Sequence, residues 1–179
     1  MGTDCRRSAL CIIRFSLYHR PYPLSYNGWG DVLVIVFFGF VPVGGTYYVQ
    51  ALTWTPDVTI ASLICGLLID TLLVVNNYRD READARSGKR TVIVRFGEKF
   101  GRYFYLMLGV TASLLCLCFL REGHFLAALL PQLYLIPHFL TWKRMVKIYS
   151  GKKLNSILGE TSRNMLFMGV LIAIGMLVS

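Results

Sequence analysis

Ala61-Ser62-Leu63-Ile64-Cys65-Gly66-Leu67-Leu68-Ile69-Asp70-Thr71-Leu72-Leu73-Val74-Val75 runs directly into Asn76-Asn77-Tyr78-Arg79-Asp80-Arg81-Glu82-Ala83-Asp84. The first part is apolar and carries one charge, Asp70; the second is densely charged. Asp80 and Asp84 are four apart, so on a helix they point the same way about one turn apart, and Asn77 joins that face three residues earlier. Two hard carboxylate oxygens and an amide carbonyl at the end of a membrane-length helix suit Mg²⁺ carrying a phosphorylated ligand. Arg79, Arg81, Arg86, Lys89 and Arg90 surround them and suit the anion itself. The pattern predicts a diphosphate site at a membrane surface.

The rest of the chain agrees with a membrane as its solvent. Of its 179 residues 55% are hydrophobic, and the mean hydropathy is +0.52, too apolar for an ordinary soluble domain. The apolar residues gather in blocks long enough to cross about 30 Å of hydrocarbon. Five are expected: Asp31–Gln50, Val58–Asn77, Tyr103–Leu120, His124–Trp142 and Asn164–Ser179. The predicted fold class is therefore all-α, a polytopic transmembrane helix bundle.

The net charge of +9 follows topology rather than nucleic-acid binding. Arg6, Arg7, Arg14 and Arg20 precede the first block, and Arg79 to Arg102 forms a second basic stretch. Lys143, Arg144, Lys147, Lys152 and Lys153 follow the fourth block. The intervening connections are nearly bare: 51–57 has no Lys or Arg, and the turn after the third block has only Arg121. This alternation puts the N-terminus, the motif loop and the Lys143–Lys153 loop on the cytoplasmic face by the positive-inside rule. A multi-pass protein of the cell inner membrane is expected, with its C-terminus at the far face.

Local signals refine the picture. Pro42, Gly44 and Gly45 predict a kink or close helix approach in the first span. Pro56-Asp57 opens the second with good helix-start chemistry, and Ser87-Gly88 ends it. A loop is expected from there through Gly97, and Pro131 and Pro137 interrupt the fourth span. The five cysteines form no CxxC pair and read as small apolar residues. Gly88-Lys89-Arg90-Thr91 is not a P-loop, because it lacks the earlier glycine and the preceding strand. Asp70 is costly in hydrocarbon, at least ~2.5–3.5 kcal/mol. It faces either a cavity or a hydrogen bond to a neighbouring helix. With Asn77, Asp80 and Asp84 it makes a polar stripe leading from the membrane to its surface.

Asn76-Asn77-Tyr78-Arg79-Asp80, Asp84, Gly88-Lys89-Arg90-Thr91 and Arg95-Phe96-Gly97 together resemble the second aspartate-rich motif of UbiA-type membrane prenyltransferases. More narrowly, they resemble the 1,4-dihydroxy-2-naphthoate polyprenyltransferases of menaquinone synthesis. Pro23 to Asp31, Phe37-Phe38-Gly39 and Gly45 to Val49 resemble the same subfamily. The resemblance implies Mg²⁺ as cofactor, and a polyprenyl diphosphate, an aromatic acceptor (dihydroxynaphthoate) and the lipid bilayer as partners, with no nucleic acid. By that analogy Asp80, Asp84 and Lys89 are the catalytic candidates, with Asp80, Asp84 and Asn77 at the metal. Asn77, Arg79, Arg90 and Asp70 are candidates for substrate binding, and Tyr26 and Asn27 for the acceptor pocket.

The match is to the last five helices of a nine-helix bundle. The family's first aspartate-rich motif has no counterpart before Tyr26, where Asp4 is the only carboxylate. Residues 1–20 form an atypical segment and 21–179 the C-terminal part of such a domain, so a truncated or frame-shifted product, inactive alone, is expected. Another UbiA-type aromatic prenyltransferase and a non-catalytic membrane remnant are the alternatives.

Overall fold

The structure is a computed structural model that describes residues 28–178. Five helices among them are long and apolar enough to cross a membrane: α1 (Gly30–Ala51), α2 (Pro56–Arg86), α3 (Val92–Glu122), α4 (Phe125–Ile148) and α5 (Leu154–Val178). The chain is a multi-pass helical membrane protein. The atypical segment 1–20, Tyr26 and Asn27 lie outside the described residues.

The central element is α2. Thr55 caps it, its hydroxyl accepting from the Val58 amide at 3.3 Å, and Pro56 follows with φ already suited to the first turn. Its 31 residues rise about 46 Å, against about 30 Å of hydrocarbon. The excess is the charged end, so the stretch from about Asn76 onward stands clear of the apolar span. Ser87 and Gly88, the latter at φ 76°, stop the helix, and the Lys89 amide closes onto the Asp84 carbonyl at 2.9 Å.

The first helix packs on α2 where both are bare. A Cβ on Gly39 would collide with the Ser62 carbonyl and come within 2.9 Å of Gly66, while one on Gly66 would meet Ile35. This is the close approach expected from the small residues, shifted from Gly44–Gly45 to Gly39. Around it α1 widens into π-type turns over Ile35–Gly44, which contain Pro42. Wider turns accommodate the missing proline N–H without a sharp break.

Two boundaries differ from the hydropathy reading. The stretch after Thr91 is helical from Val92, with Thr91 accepting from the Val94 amide at 3.3 Å; Gly97 at φ 86° marks a kink, where a loop was expected throughout. Buried Ile93, seated on Gly101, gives this short turn a packing contact that hydropathy does not register. The fifth helix begins at Leu154, ten residues before the expected Asn164. Glu160 and Arg163 mask its start, yet Leu154, Ile157, Thr161, Asn164 and Met168 make one buried face at helical spacing. Pro131 lies in a 3₁₀ stretch over Leu130–Tyr134. There the Gln132 amide donates to the Ala128 and Ser113 carbonyls at 2.9 and 2.8 Å.

Buried polar pairs tie the helices together. Tyr105 and Thr161 share a 3.0 Å hydrogen bond between α3 and α5, and Asn164 donates to Thr141 at 2.9 Å between α5 and α4. His138 sits over Gly109 with its ring against Tyr105 and Tyr134. Leu166, Val170, Ile174 and Leu177 are exposed along α5, the face a lipid-embedded helix turns to hydrocarbon. The described cysteines, Cys65, Cys116 and Cys118, are free thiols.

Candidate functional site

At the charged end of α2, consecutive turns bring acids and bases into pairs. Arg79 lies along Asp80, with Nε donating to Oδ1 at 2.8 Å and Nη2 to Oδ2 at 2.6 Å. The same guanidinium reaches Asn76 at 2.7 Å and, across to the start of α5, Asn155 at 2.9 Å. This guanidinium holds the Asp80 carboxyl below the usual carboxylate range, so Asp80 is anionic at neutral pH. One turn on, Lys89 meets Asp84 Oδ1 at 3.4 Å, while Asp84 Oδ2 is buried without a partner. A carboxyl oxygen shut away from water needs a donor or a cation. Hard oxygen donors of this kind suit a divalent ion, although no group of three or more His, Cys, Asp or Glu gathers among the described residues.

Asn77 faces inward from the same end of α2. It is buried and lines a small pocket of about 90 Å³ with Gly28, Gly30, Asp31, Lys89 and Thr91. The motif loop thus folds back so that Lys89, Asn77 and Asp84 are neighbours. Arg90 is exposed, and Arg79 is directed at Asp80 rather than at open solvent. Asp70 is fully buried, and apart from the Asp31 carboxyl its oxygens have no hydrogen-bond partner among the described residues. That contact joins α1 to α2, as the helix-to-helix hydrogen bond considered for Asp70 would.

Two features escape a reading of the sequence. The first is Asp31, buried at 7% exposure with its carboxyl beside that of Asp70. An acid at the start of a helix reads as ordinary first-turn chemistry, and its place at the end of the Pro23-to-Asp31 resemblance gave it no role of its own. The second is a brace under the motif. Arg102 donates to the buried Tyr78 hydroxyl at 2.9 Å, and Glu98 bridges Arg102 at 3.3 Å and Arg81 at 3.6 Å. Tyr149, with a positive φ of 64°, receives both guanidiniums on its ring face at 5.0 and 5.2 Å. The brace fixes the end of α2 against α3 and the α4–α5 connection.

A long apolar groove of about 610 Å³ runs beside α2 between α1 and α5, lined by Val43, Ala61, Cys65, Ile69, Met165 and Gly169. Its α2 wall ends one residue before Asp70. An apolar trough of this size beside the membrane-embedded part of α2 suits a hydrocarbon chain.

Comparison with known proteins places this arrangement. The model of the UbiA prenyltransferase family matches residues 8–177. The chain belongs to that family. Similar curated UbiA-type relatives include a 1,4-dihydroxy-2-naphthoate octaprenyltransferase of Haemophilus influenzae, 34% identical over 170 residues, covering 93% of this chain and 54% of that protein. A protein of the same name from Escherichia coli is 40% identical over 110 residues, covering 62% of this chain and 35% of the relative. A 2-carboxy-1,4-naphthoquinone phytyltransferase of Synechocystis is 28% identical over 81 residues, covering 45% of this chain and 26% of the relative. The chain therefore spans about half or less of the length of these UbiA relatives. No solved structure matches it.

Proposed function

We propose that this chain carries the diphosphate-handling half of an enzyme that transfers a polyprenyl group from its diphosphate to 1,4-dihydroxy-2-naphthoate, in menaquinone synthesis. The observation that carries the reading is the ordered end of α2. Two carboxylates, one of them with a buried unpartnered oxygen, stand beside Arg79 and Lys89. Relatives named for that transfer, at 34–40% identity, support the choice of reaction.

Asp80, Asp84 and the Asn77 carbonyl would hold Mg²⁺, which when bound supplies positive charge against the oxygens of the leaving diphosphate. Arg79 and Lys89 neutralise those carboxylates in the ligand-free arrangement. Released from that duty, they bind phosphate oxygens as paired donors, and Arg90 adds a third cation at the surface. The groove receives the isoprenoid chain and keeps water from the reacting carbon. By the family resemblance Tyr26 and Asn27, which lie outside the described residues, remain the candidates for recognising the acceptor. The basic connections set the motif on the cytoplasmic side of the inner membrane.

Prenyl transfer tests this directly. Membranes holding this chain together with the N-terminal half of a relative, given labelled polyprenyl diphosphate and dihydroxynaphthoate, should form prenylated product only with Mg²⁺. Asp80→Ala should reduce it by at least a hundredfold. Product formation indifferent to Mg²⁺ and to Asp80 would refute the proposal.

A further inference from the structure

One cation at the end of α2 is shared by three acceptors from different places. Adjacent residues on a helix point roughly 100° apart, so a side chain does not ordinarily face its next neighbour. Arg79 nevertheless gives Nε and Nη2 to the two oxygens of Asp80, at 2.8 and 2.6 Å. The same Nη2 donates to Asn76 Oδ1 at 2.7 Å, and Nη1 donates to Asn155 Oδ1 at 2.9 Å. Of the three partners only Asp80 is charged.

Asn155 comes from elsewhere in the chain, 76 residues beyond Arg79, and the fold fixes its place. Gly151, at φ 86°, makes the turn that leads into α5. The Leu154 amide then closes onto the Gly151 carbonyl and the Asn155 amide onto that of Lys152, both at 3.0 Å. Leu154 and Ile157 are fully buried. The start of α5 is therefore held by packing, while Asn155 itself stays exposed beside Arg79.

The two kinds of acceptor have different consequences. Asp80 cancels the charge of Arg79, and both of its oxygens are taken while the guanidinium lies on them. That pair is displaceable: the Arg79 and Asp80 side chains are 25% and 39% exposed, and exposed pairs contribute little. The side-chain amides of Asn76 and Asn155 are neutral. They orient the guanidinium and leave its charge for an anion. Asn76 lies one turn before Arg79 on the same helix, so alone it lets the long side chain pivot. Asn155, across on α5, is the second anchor that stops the pivot.

We propose that Asn155 is a positioning residue for diphosphate binding, holding the Arg79 guanidinium at the end of α2 so that it faces phosphate oxygens once Asp80 is taken up by a cation. The proposal rests on the diphosphate reading above. It adds a residue of α5 to a site otherwise built from α2 and the loop after it.

Titration of inorganic diphosphate, in saturating Mg²⁺, into the purified chain in lipid nanodiscs tests this without requiring turnover. Asn155→Ala should weaken binding by about fivefold or more, and Arg79→Gln at least as much. In the Arg79→Gln background Asn155→Ala should have no further effect, because the group it positions is gone. The thermal midpoint of Asn155→Ala without ligand should match that of the unsubstituted chain. So should the Mg²⁺ concentration that gives half-maximal thermal stabilisation without diphosphate, since Asn155 is not among the metal candidates. Where the unsubstituted chain binds diphosphate, equal affinity in Asn155→Ala, or losses that simply add in the double variant, would overturn the positioning role alone. A lowered midpoint or a lost Mg²⁺ response in Asn155→Ala would overturn it in favour of a structural contact at the start of α5. Failure of the unsubstituted chain to bind diphosphate would overturn the broader reading, and the positioning role with it.

Discussion

Tyr78 sits in the most charged stretch of the chain and is fully buried. Its hydroxyl accepts from Arg102 at 2.9 Å, and Arg81 lies over its ring at 4.6 Å. One residue thereby orders two cations and the turn that carries Asp80. Removing the hydroxyl leaves the guanidinium short of an acceptor, though Glu98 still holds it at 3.3 Å. Tyr78→Phe should accordingly lower stability by about 1 kcal/mol, seen as a lower thermal midpoint in detergent, with secondary structure unchanged. An unaltered midpoint would mean that the brace contributes nothing. The charged neighbours themselves deserve less weight as stabilisers, because Arg79 and Asp80 are both partly exposed and exposed ion pairs contribute little.

At the scale of elements, the contact between α1 and α2 depends on Gly39 and Gly66 lacking side chains. Gly39→Val should force the helices apart and cost about 1–3 kcal/mol by overpacking. Gly45→Ala, six residues on, meets nothing within 4 Å, has helical φ, and should be neutral or stabilising by up to about 1 kcal/mol. Unfolding of the two variants in the same detergent checks the contrast; equal effects would remove the helix-contact account. This also marks what was legible beforehand. Helix number and type follow from five apolar blocks, and the start of α2 from Thr55-Pro56-Asp57, because those signals are local. The start of α5 was hidden because Glu160 and Arg163 lower its hydropathy while its inner face stays buried. In the site, Asp80, Asp84, Asn77 and Asp70 were readable from helical spacing along a single element. Asp31 was not, since its meaning depends on an opposing residue that only packing of α1 on α2 supplies.

For the whole molecule, five antiparallel spans put the 87–91 and 149–153 connections at one membrane face, and 52–55 and 123–124 at the other. Cysteines introduced at Ser87 and Lys152 should react with an impermeant maleimide only from the cytoplasmic side, and one at Gly123 only from the opposite side. Labelling of Ser87→Cys and Gly123→Cys from the same side would contradict this arrangement. The face that carries the motif also carries the brace, so the acid–base pairs at the end of α2 and the docking of α3 and the α4–α5 connection are joined at one end of the bundle. The central claim is that this end binds diphosphate through Mg²⁺. Calorimetric titration of a polyprenyl diphosphate into the chain in nanodiscs tests it most directly. The account predicts binding in Mg²⁺ that is lost with EDTA and weakened at least tenfold by Asp80→Ala or Asp84→Ala; the same affinity under all of these conditions would contradict it.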